Sequence, residues 1–425
     1  MTSSADDSAA STPAAFRPET QRGVPGFFHA GQDAAGFWWL IDPNGRPVWC
    51  KAVHEVRAAK SEADGSLAPD SAARLRAWGF DTVGVAGDGA GWDDGFAIMA
   101  AANFCEAGPL IVGPGLRLPD VFDPRWPQLA QERAVTMCTP LSDHRNMIGW
   151  VTDEAPLWAQ PVANGQGWPS LLQLCLSLEP GFAAYHAAWE FALALHGGRL
   201  DALARAWEVT LANKEGVREL TRADTGLATR GYLRDEARWT REFARRYFSS
   251  TAAAIRAADP NHLALGCRFD GIVGAHVLAE CVYPAVDVAM PDWRELPGLA
   301  EGNAKNPVFA GNVSWTEEEF WRSPASVSGG VQRLTSVERM LRRGRAGLER
   351  AARQPAVVGY VWRQWQDEPG EQPPFARGLV HVNGVEAREH TELLTGFNAR
   401  AEAMRRASAT RTESLKVVSP LSNPG

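Results

Sequence analysis

The chain contains 425 residues, of which 45% are hydrophobic and 22% charged, and its formal net charge at pH 7 is −7. This composition is typical of a folded globular protein and excludes a disordered or collagen-like chain. Because phosphate binding needs a basic surface, the acidic balance argues against nucleic acid as a partner. The six cysteines are scattered without a CxxC motif, so we predict reduced thiols and neither a disulfide framework nor a zinc site.

The chain has 17 tryptophans beside only 5 tyrosines. An indole ring packs well against the flat C–H face of a sugar, so the count favours a carbohydrate site. For any single tryptophan, packing in the core is the alternative.

Residues 1–22 are rich in Ser, Ala, Thr and Asp, and they lack the basic start and apolar stretch of a secretory signal. We predict a disordered leader there. No stretch of the sequence approaches the roughly 18 apolar residues that a membrane-spanning helix needs. These features favour a cytoplasmic protein with no membrane partner.

The elements that follow alternate between strands and helices. Phe37–Cys50 predicts a β-hairpin, because turn residues Asp42–Gly45 separate two apolar runs. Helical patterns cover residues 69–78, 123–135, 336–352 and 386–406. Eight strands are predicted, in order, at Val48–Val53, Asp81–Ala86, Pro109–Val112, Met147–Thr152, Leu263–Phe269, Val286–Met290, Pro307–Ala310 and Val357–Trp362.

Eight strands in this alternation predict an α/β fold, a (β/α)8 TIM barrel over residues 23–408, with the hairpin capping its N-terminal end. Residues 155–259 are too long for one crossover. Their helical patterns predict a helical insertion after strand four, which walls the cleft with Trp158 and Trp168 or makes a subunit contact. The polar segment 409–425 predicts a flexible tail.

In such barrels the chemistry lies at the carboxyl ends of the strands. Carboxylates beside tryptophans at one mouth are what glycosidic bond cleavage requires, since one acid protonates the leaving oxygen while a second attacks or activates water. A structural ion network is the alternative for these acids and bases. The predicted site residues are His54, Glu55, Asp153, Glu154, Arg268, Asp270, Asp292, Trp293, Asn312, Trp315, Trp362, Gln364 and Trp365.

Several motifs resemble agarase-type glycoside hydrolases of the clan A barrels, from about residue 26 to 406. They are Phe37-Trp-Trp-Leu-Ile-Asp-Pro-Asn-Gly45, Leu75-Arg-Ala-Trp-Gly-Phe-Asp-Thr82, Asp120-Val-Phe-Asp-Pro124, Ile148-Gly-Trp-Val-Thr-Asp-Glu154, Asp259-Pro-Asn-His-Leu263, Leu265-Gly-Cys-Arg-Phe269 and Val358-Gly-Tyr-Val-Trp-Arg-Gln-Trp365. The resemblance implies a retaining hydrolase of β-linked galactose-containing glycans. It also implies that Asp153-Glu154 holds the acid/base glutamate and that Gln364-Trp365 contacts sugar.

Two strand ends depart from this family. The resemblance places a nucleophilic glutamate at the end of strand seven, where this sequence has Asn312. A neutral amide cannot form the glycosyl-enzyme ester. Strand six also ends in Met290-Pro-Asp-Trp293, where the family usually has Asn and Tyr.

Three interpretations follow from the departure. In the first, a displaced base holds water in an inverting reaction, with Asp292 favoured over Asp270, Glu55 or Glu317; the run Glu317–Glu319 itself predicts the start of a helix. In the second, an acetamido group of the substrate replaces the nucleophile. In the third, the protein is a carbohydrate-binding pseudoenzyme.

We predict hydrolysis of short imported β-galactoside oligosaccharides, with Glu154 as general acid, Asp292 as base and Asn312 at the nucleophile position. No cofactor or metal ion is expected, because no HxH, HxxxH, P-loop or GxGxxG motif occurs where such a group would bind. The sequence leaves the oligomeric state open.

Overall fold

The computed structural model describes residues 16–56, 69–84, 95–113, 116–154, 170–220, 229–269, 271–299, 305–321, 329–333, 336–371 and 373–418. The strands are β1 (His29–Gln32), β2 (Trp38–Ile41), β3 (Pro47–Val48), β4 (Cys50–Val53), β5 (Thr82–Val83), β6 (Ala97–Ala101), β7 (Leu110–Gly113), β8 (Leu116–Pro119), β9 (Met147–Glu154), β10 (Leu263–Arg268), β11 (Val308–Val313), β12 (Glu317–Trp321), β13 (Gly329–Arg333), β14 (Val357–Trp362), β15 (Gln364–Gln366) and β16 (Gly378–Val380). The α-helices are α1 (Pro69–Ala77), α2 (Trp126–Cys138), α3 (Leu171–Leu176), α4 (Ala183–Ala194), α5 (Leu200–Trp207), α6 (Arg230–Ala258), α7 (Ala275–Val277), α8 (Leu296–Leu299), α9 (Val337–Arg353), α10 (Arg388–Asn398) and α11 (Ala401–Val418). None of the helices in these ranges has the length and apolarity to cross a membrane.

Seven parallel strands form a nearly closed, barrel-like sheet in the order β10-β9-β6-β5-β4-β14-β11. Residues 287–292 lie between its two edges. Asp287 N donates to Ala264 O of β10 at 2.8 Å. On the other side Ala289 forms a parallel bridge with Val308, and Asp292 forms one with Gly311. The sheet is therefore compatible with a TIM-type barrel, and this segment stands where the sixth strand is predicted.

The third barrel strand is not where the sequence predicts it. It is β6, which pairs with β5 and β9 in parallel. The predicted strand Pro109–Val112 instead contributes to β7, which pairs antiparallel with β8 outside the barrel. Val112 of that hairpin is 64% exposed. The β-branched run marked a strand correctly but not a buried one, while the alanine-rich β6 carries a weak strand signal.

Two hydrophobic clusters occupy the two faces of the barrel sheet. The inner cluster takes alternate residues of the strands, such as Cys50 and Ala52 of β4. Phe28, Trp38 and Leu40, from the N-terminal sheet β1–β3, belong to the same inner cluster. The outer cluster holds the side chains that face the helices. Side chains that leave a strand at its carboxyl end on the inner face therefore reach the mouth.

The chain boundaries differ from the predicted ones at both ends. Order begins before residue 23, because Phe16 bridges Asp33 and Arg17 N donates to Gln32 O at 2.8 Å. Helix α11 continues to Val418, well into the tail predicted to be flexible from residue 409. Ala409 is buried, so the first turns of that segment belong to the packed protein.

Among the other local predictions, the turn at Asp42 is confirmed and the helix start at Glu317 is wrong. The turn at Asp42 is confirmed, since its Oδ1 accepts from the backbone of Asn44 and Arg46 at 2.9 Å. The six cysteines are all unpaired. The helical start predicted at Glu317 is wrong, because residues 317–321 form β12, which pairs with β13.

Candidate active site

Four strand ends bring polar residues together at the mouth of the barrel. β9 ends in Glu154 and β10 in Arg268, while β4 is followed by Glu55. Asn312 lies in β11. β9 and β10 are neighbours in the sheet, and Arg268 is in register with Glu154. The carboxyl ends of parallel strands meet at one edge, so the fold places these side chains within reach of each other.

The Arg268 guanidinium is the centre of this group, which we call the Arg268 cluster (Glu55, Glu154, Arg268 and Asn312). Its Nη1 donates to Asn312 Oδ1 at 2.9 Å. Its Nη2 faces Glu55 Oε1 at 3.3 Å and Glu154 Oε2 at 3.4 Å. Only 8% of the Arg268 side chain is exposed, against 40% for Glu55 and 32% for Glu154. The buried guanidinium therefore contacts two carboxylates that solvent, or a ligand, can reach.

The shared contact brings the two carboxylates close to each other. Because Glu55 Oε1 and Glu154 Oε2 lie 3.3 and 3.4 Å from the same nitrogen, these two oxygens are at most 6.7 Å apart. Glycosidases use paired carboxyl groups at roughly 5–9.5 Å. This upper bound excludes the longest separations of that range and is compatible with the shorter ones.

Burial is the main influence on the protonation of Glu154. It raises the pKa of that carboxyl above its usual value, and the neighbouring negative charge of Glu55 acts in the same direction. The Arg268 guanidinium opposes both effects and lowers the pKa. A glutamic acid with a raised pKa keeps its proton at higher pH, which is the property of a general acid.

Two residues of the cluster have unusual backbone conformations. Glu55 has a φ of 60° and Asn312 a φ of 49°, both in the left-handed region. Asparagine tolerates this region better than most residues, whereas glutamate does not favour it. Strain of this kind persists where the surrounding structure holds it, and it often occurs at functional sites.

His54 is fully buried beside the cluster. It directly precedes Glu55, and neither ring nitrogen has a hydrogen-bond partner among the described residues. Burial lowers its pKa well below the ordinary value, and the charges of Arg268 and Arg363 act in the same direction. The ring is therefore neutral. A Cβ on Gly84 would lie 2.7 Å from His54 Nδ1, so the glycine makes room for the imidazole.

Asp292, the base predicted from the sequence, is placed differently. Its side chain is fully buried and accepts from the backbone N, Nε and Nη2 of Arg294 at 2.9, 2.7 and 2.6 Å. It also caps the short 3-10 helix Trp293–Glu295. A carboxylate that is fully buried and paired with an arginine is not open to the mouth, which argues against the predicted role.

Asp153 points away from the mouth although it precedes Glu154. Its oxygens accept from Cys105 N at 2.8 Å and from the Tyr247 hydroxyl, which belongs to α6. Burial raises the pKa of Asp153 to about 6. The structure therefore separates the two acids of the Asp153-Glu154 pair, one on the outer face of the strand and one at the mouth.

The tryptophans predicted to stack on sugar are mostly buried in the outer layer. Trp315 and Trp362 have no exposed surface and pack edge to face, with ring centroids 4.5 Å apart. Trp315 Nε1 donates to His390 on α10. Trp293 packs against Gly347 of α9, where a Cβ would come within 2.3 Å of the indole. Core packing, the alternative reading, holds for Trp315 and Trp362.

Two of the remaining predicted residues, Gln364 and Trp365, lie just after strand β14. Gln364 is buried and donates to Glu371 Oε2 at 2.9 Å. Trp365 is 7% exposed and packs on Trp78, the residue that follows α1. Asp270 lies outside the described residues. In the part of the chain that the structure describes, no group of three His, Cys, Asp or Glu residues could hold a metal ion.

Known structures share this architecture. An exo-β-agarase superposes with a TM-score of 0.65 and 15% identity, covering 91% of this chain and 66% of that one. The agarase AgWH50C gives 0.62 and 16%, covering 92% of this chain and 68% of that one. BpGH50 gives 0.61 and 15%, covering 91% and 84%. This is the fold of the agarases.

At this level of identity, the likeness to the agarases concerns the fold. The chain spans about two thirds of the length of the two agarases. No protein family profile matches the sequence, and no curated protein matches it. The structural comparison therefore supports, at the level of the fold, the agarase resemblance that the sequence motifs indicate.

Two neighbours of the site were missed in the sequence. Gly84 follows β5, and only the structure shows that its missing Cβ accommodates His54. Arg363 follows β14, and its charge acts on the same imidazole. A glycine or an arginine directly after a barrel strand is the one signal that points to such residues, and it is weak without the register of the sheet.

Proposed function

We propose that the protein is a glycoside hydrolase of β-linked galactose-containing oligosaccharides, with Glu154 as general acid and Glu55 as the second carboxylate. The observation that carries the proposal is the contact of both glutamates with one nitrogen of Arg268. The agarase-like fold supports the substrate class. Glu55 takes the role that the sequence alone favoured for Asp292.

The chemistry divides between the two acids. Glu154, whose pKa is raised by burial, donates its proton to the glycosidic oxygen as the bond to the anomeric carbon breaks. Glu55 either attacks the anomeric carbon or takes a proton from the water that does. Arg268 stabilises the negative charge left on each carboxylate. Retention of configuration in the product would indicate direct attack, and inversion would indicate attack by water.

The architecture suggests how the site is framed. We infer that the sheet β1–β3 closes the N-terminal end of the barrel, because Phe28, Trp38 and Leu40 pack in the inner cluster. We also infer that residues 155–259 are an insertion after the fourth strand. The described helices α3–α6 fall in that interval. Trp158 and Trp168, predicted to wall the cleft, lie outside the described residues.

A leaving-group test separates the two roles. We expect Glu154→Gln to slow hydrolysis of galactan oligosaccharides by about 10²–10⁴-fold, because the sugar leaving group needs a proton. Hydrolysis of a nitrophenyl β-galactoside should fall far less, since nitrophenolate leaves without protonation. Product analysis and absorbance measure the two rates.

The control is Glu392→Gln, an exposed glutamate on α10, which should match the wild-type protein. Equal losses on both substrates would contradict the assignment of Glu154 as the acid. Binding of the oligosaccharide without turnover of either substrate would favour the pseudoenzyme and overturn the proposed hydrolase.

A further inference from the structure

We propose that Asn312 is a positioning residue that holds the Arg268 guanidinium midway between Glu55 and Glu154. The inference rests on the proposed function, because it assigns a purpose to that arrangement. It makes Asn312 a working part of this site and not the remnant of a lost nucleophile.

Both ends of the Asn312 amide are in use. Its Oδ1 accepts from Arg268 Nη1 at 2.9 Å, and its Nδ2 donates to Phe269 O. A guanidinium can only donate and a carbonyl can only accept, so the two partners fix the orientation of the amide. A carboxylate at this position would turn an oxygen toward the Phe269 carbonyl. The contacts of the site therefore select an amide over an acid.

The backbone directs this side chain toward Arg268. Asn312 has a φ of 49°, and it is 98% buried, with 2% of its surface exposed. The preceding Gly311 lies against the neighbouring segment, since a Cβ there would be 2.8 Å from Pro291 O. The close approach and the left-handed turn that follows it together fix where the amide points.

An anchor on Nη1 of the Arg268 guanidinium also determines the position of its Nη2. The group is planar and rigid, so fixing Nη1 also fixes Nη2. Nη2 lies 3.3 Å from Glu55 and 3.4 Å from Glu154, both longer than the roughly 2.7–2.9 Å of a close charge-assisted hydrogen bond. The cation is thus shared between the acids, and Asn312 prevents it from closing on one of them.

The charged groups around Glu154 come from several elements. Glu55 follows β4, Arg268 ends β10, and Arg363 follows β14 near the neutral His54. Arg268 is the cation that contacts Glu154 directly. The titration of Glu154 therefore reports the distance of the guanidinium, whether or not the protein hydrolyses a substrate.

The experiment follows Glu154 by NMR on the full chain with ¹³C-labelled glutamate, the signal being assigned by its loss in Glu154→Gln. Asn312→Gly removes the amide while suiting the left-handed backbone. With the anchor gone, Arg268 should close on one of the two carboxylates and move the Glu154 midpoint by about one pH unit, downward if it closes on Glu154 and upward if it closes on Glu55. Asn312→Asp keeps the acceptor and adds a negative charge, so it should raise the midpoint.

The same substitution is then made without the arginine. In an Arg268→Gln background, Asn312→Gly should leave the Glu154 midpoint unchanged, because its effect passes through Arg268. An unchanged midpoint in Asn312→Gly itself, or an equal shift with and without Arg268, would overturn the positioning role. If the midpoint moves as expected but no glycan is hydrolysed, the positioning holds and the proposed function fails. If the protein hydrolyses the glycan but the Glu154 midpoint does not move, the proposed function holds and the positioning role fails.

Discussion

Among the residues that the structure describes, two arginines are buried, and their surroundings differ in kind. Arg405 of α11 donates to the carbonyl oxygens of Trp38, Ala352, Gln354 and Pro355. Its guanidinium also lies 4.9 Å from the Trp39 ring centroid. Within the described part of the chain, Arg268 donates to side chains alone, and two of them are partly exposed acids.

The difference separates a structural cation from the one that we propose acts in the site. Carbonyl oxygens do not titrate and do not move independently of the backbone, so Arg405 fastens α11 to β2 and to the chain before β14. Burial lowers the pKa of Arg405 to about 9, yet it remains charged at neutral pH. Two of the partners of Arg268, Glu55 and Glu154, can gain and lose protons and are partly exposed.

The strongest test of this contrast removes the structural arginine. Arg405→Ala should lower the free energy of unfolding by about 3–5 kcal/mol, because several buried carbonyl groups lose their donor. Urea unfolding measures the loss. The neighbouring exposed Arg406 is the matched control, and Arg406→Ala should cost less than about 1 kcal/mol. Equal losses would remove the distinction between the two positions.

The next prediction compares Asp292, whose carboxylate is buried and paired with Arg294, with Glu55 and Glu154, which share Arg268. Asp292→Asn keeps a capping oxygen but weakens the pairing with Arg294, so we expect a loss of about 1–3 kcal/mol in unfolding free energy. The hydrolysis rate of the folded variant should stay within a few-fold of the wild type. A rate as low as that of Glu154→Gln would instead return Asp292 to the reaction.

The smallest predicted effect is the contribution of Asp153 to the pH dependence of the free energy of unfolding. Its pKa is raised to about 6 in the folded chain, above the roughly 3.9 of an unfolded aspartate, so the folded state binds the proton more tightly. Its contribution to stability is therefore present below about pH 4 and is lost as the pH rises toward 6. The slope for one such site is at most about 1.4 kcal/mol per pH unit. Asp153→Asn should flatten that part of the curve, and an unchanged curve would contradict the shift.

Local chemistry explains which parts of the fold the sequence could predict. The Asp42 turn depends on residues next to each other, and the sequence predicts it. β6 was missed because alanines carry little strand preference, although the sheet pairs it with β5 and β9 and most of its residues are buried.

At the site, the sequence could predict which residues end the strands but not which way they face. Asp153 and Glu154 are adjacent, and irregular register in the sheet decides which of them reaches the mouth. Trp315 and Trp362 stand at or just beyond strand ends, yet they face the helices. Glu55 gains its importance only through Arg268, which is 213 residues away in the chain.

The most direct test of the account is the rate of galactan oligosaccharide hydrolysis by Glu55→Gln, measured beside Asp292→Asn. We predict that Glu55→Gln loses at least about 100-fold in rate while it folds as the wild type does. A Glu55→Gln protein that hydrolyses the oligosaccharide at the wild-type rate would contradict the pairing of Glu55 with Glu154.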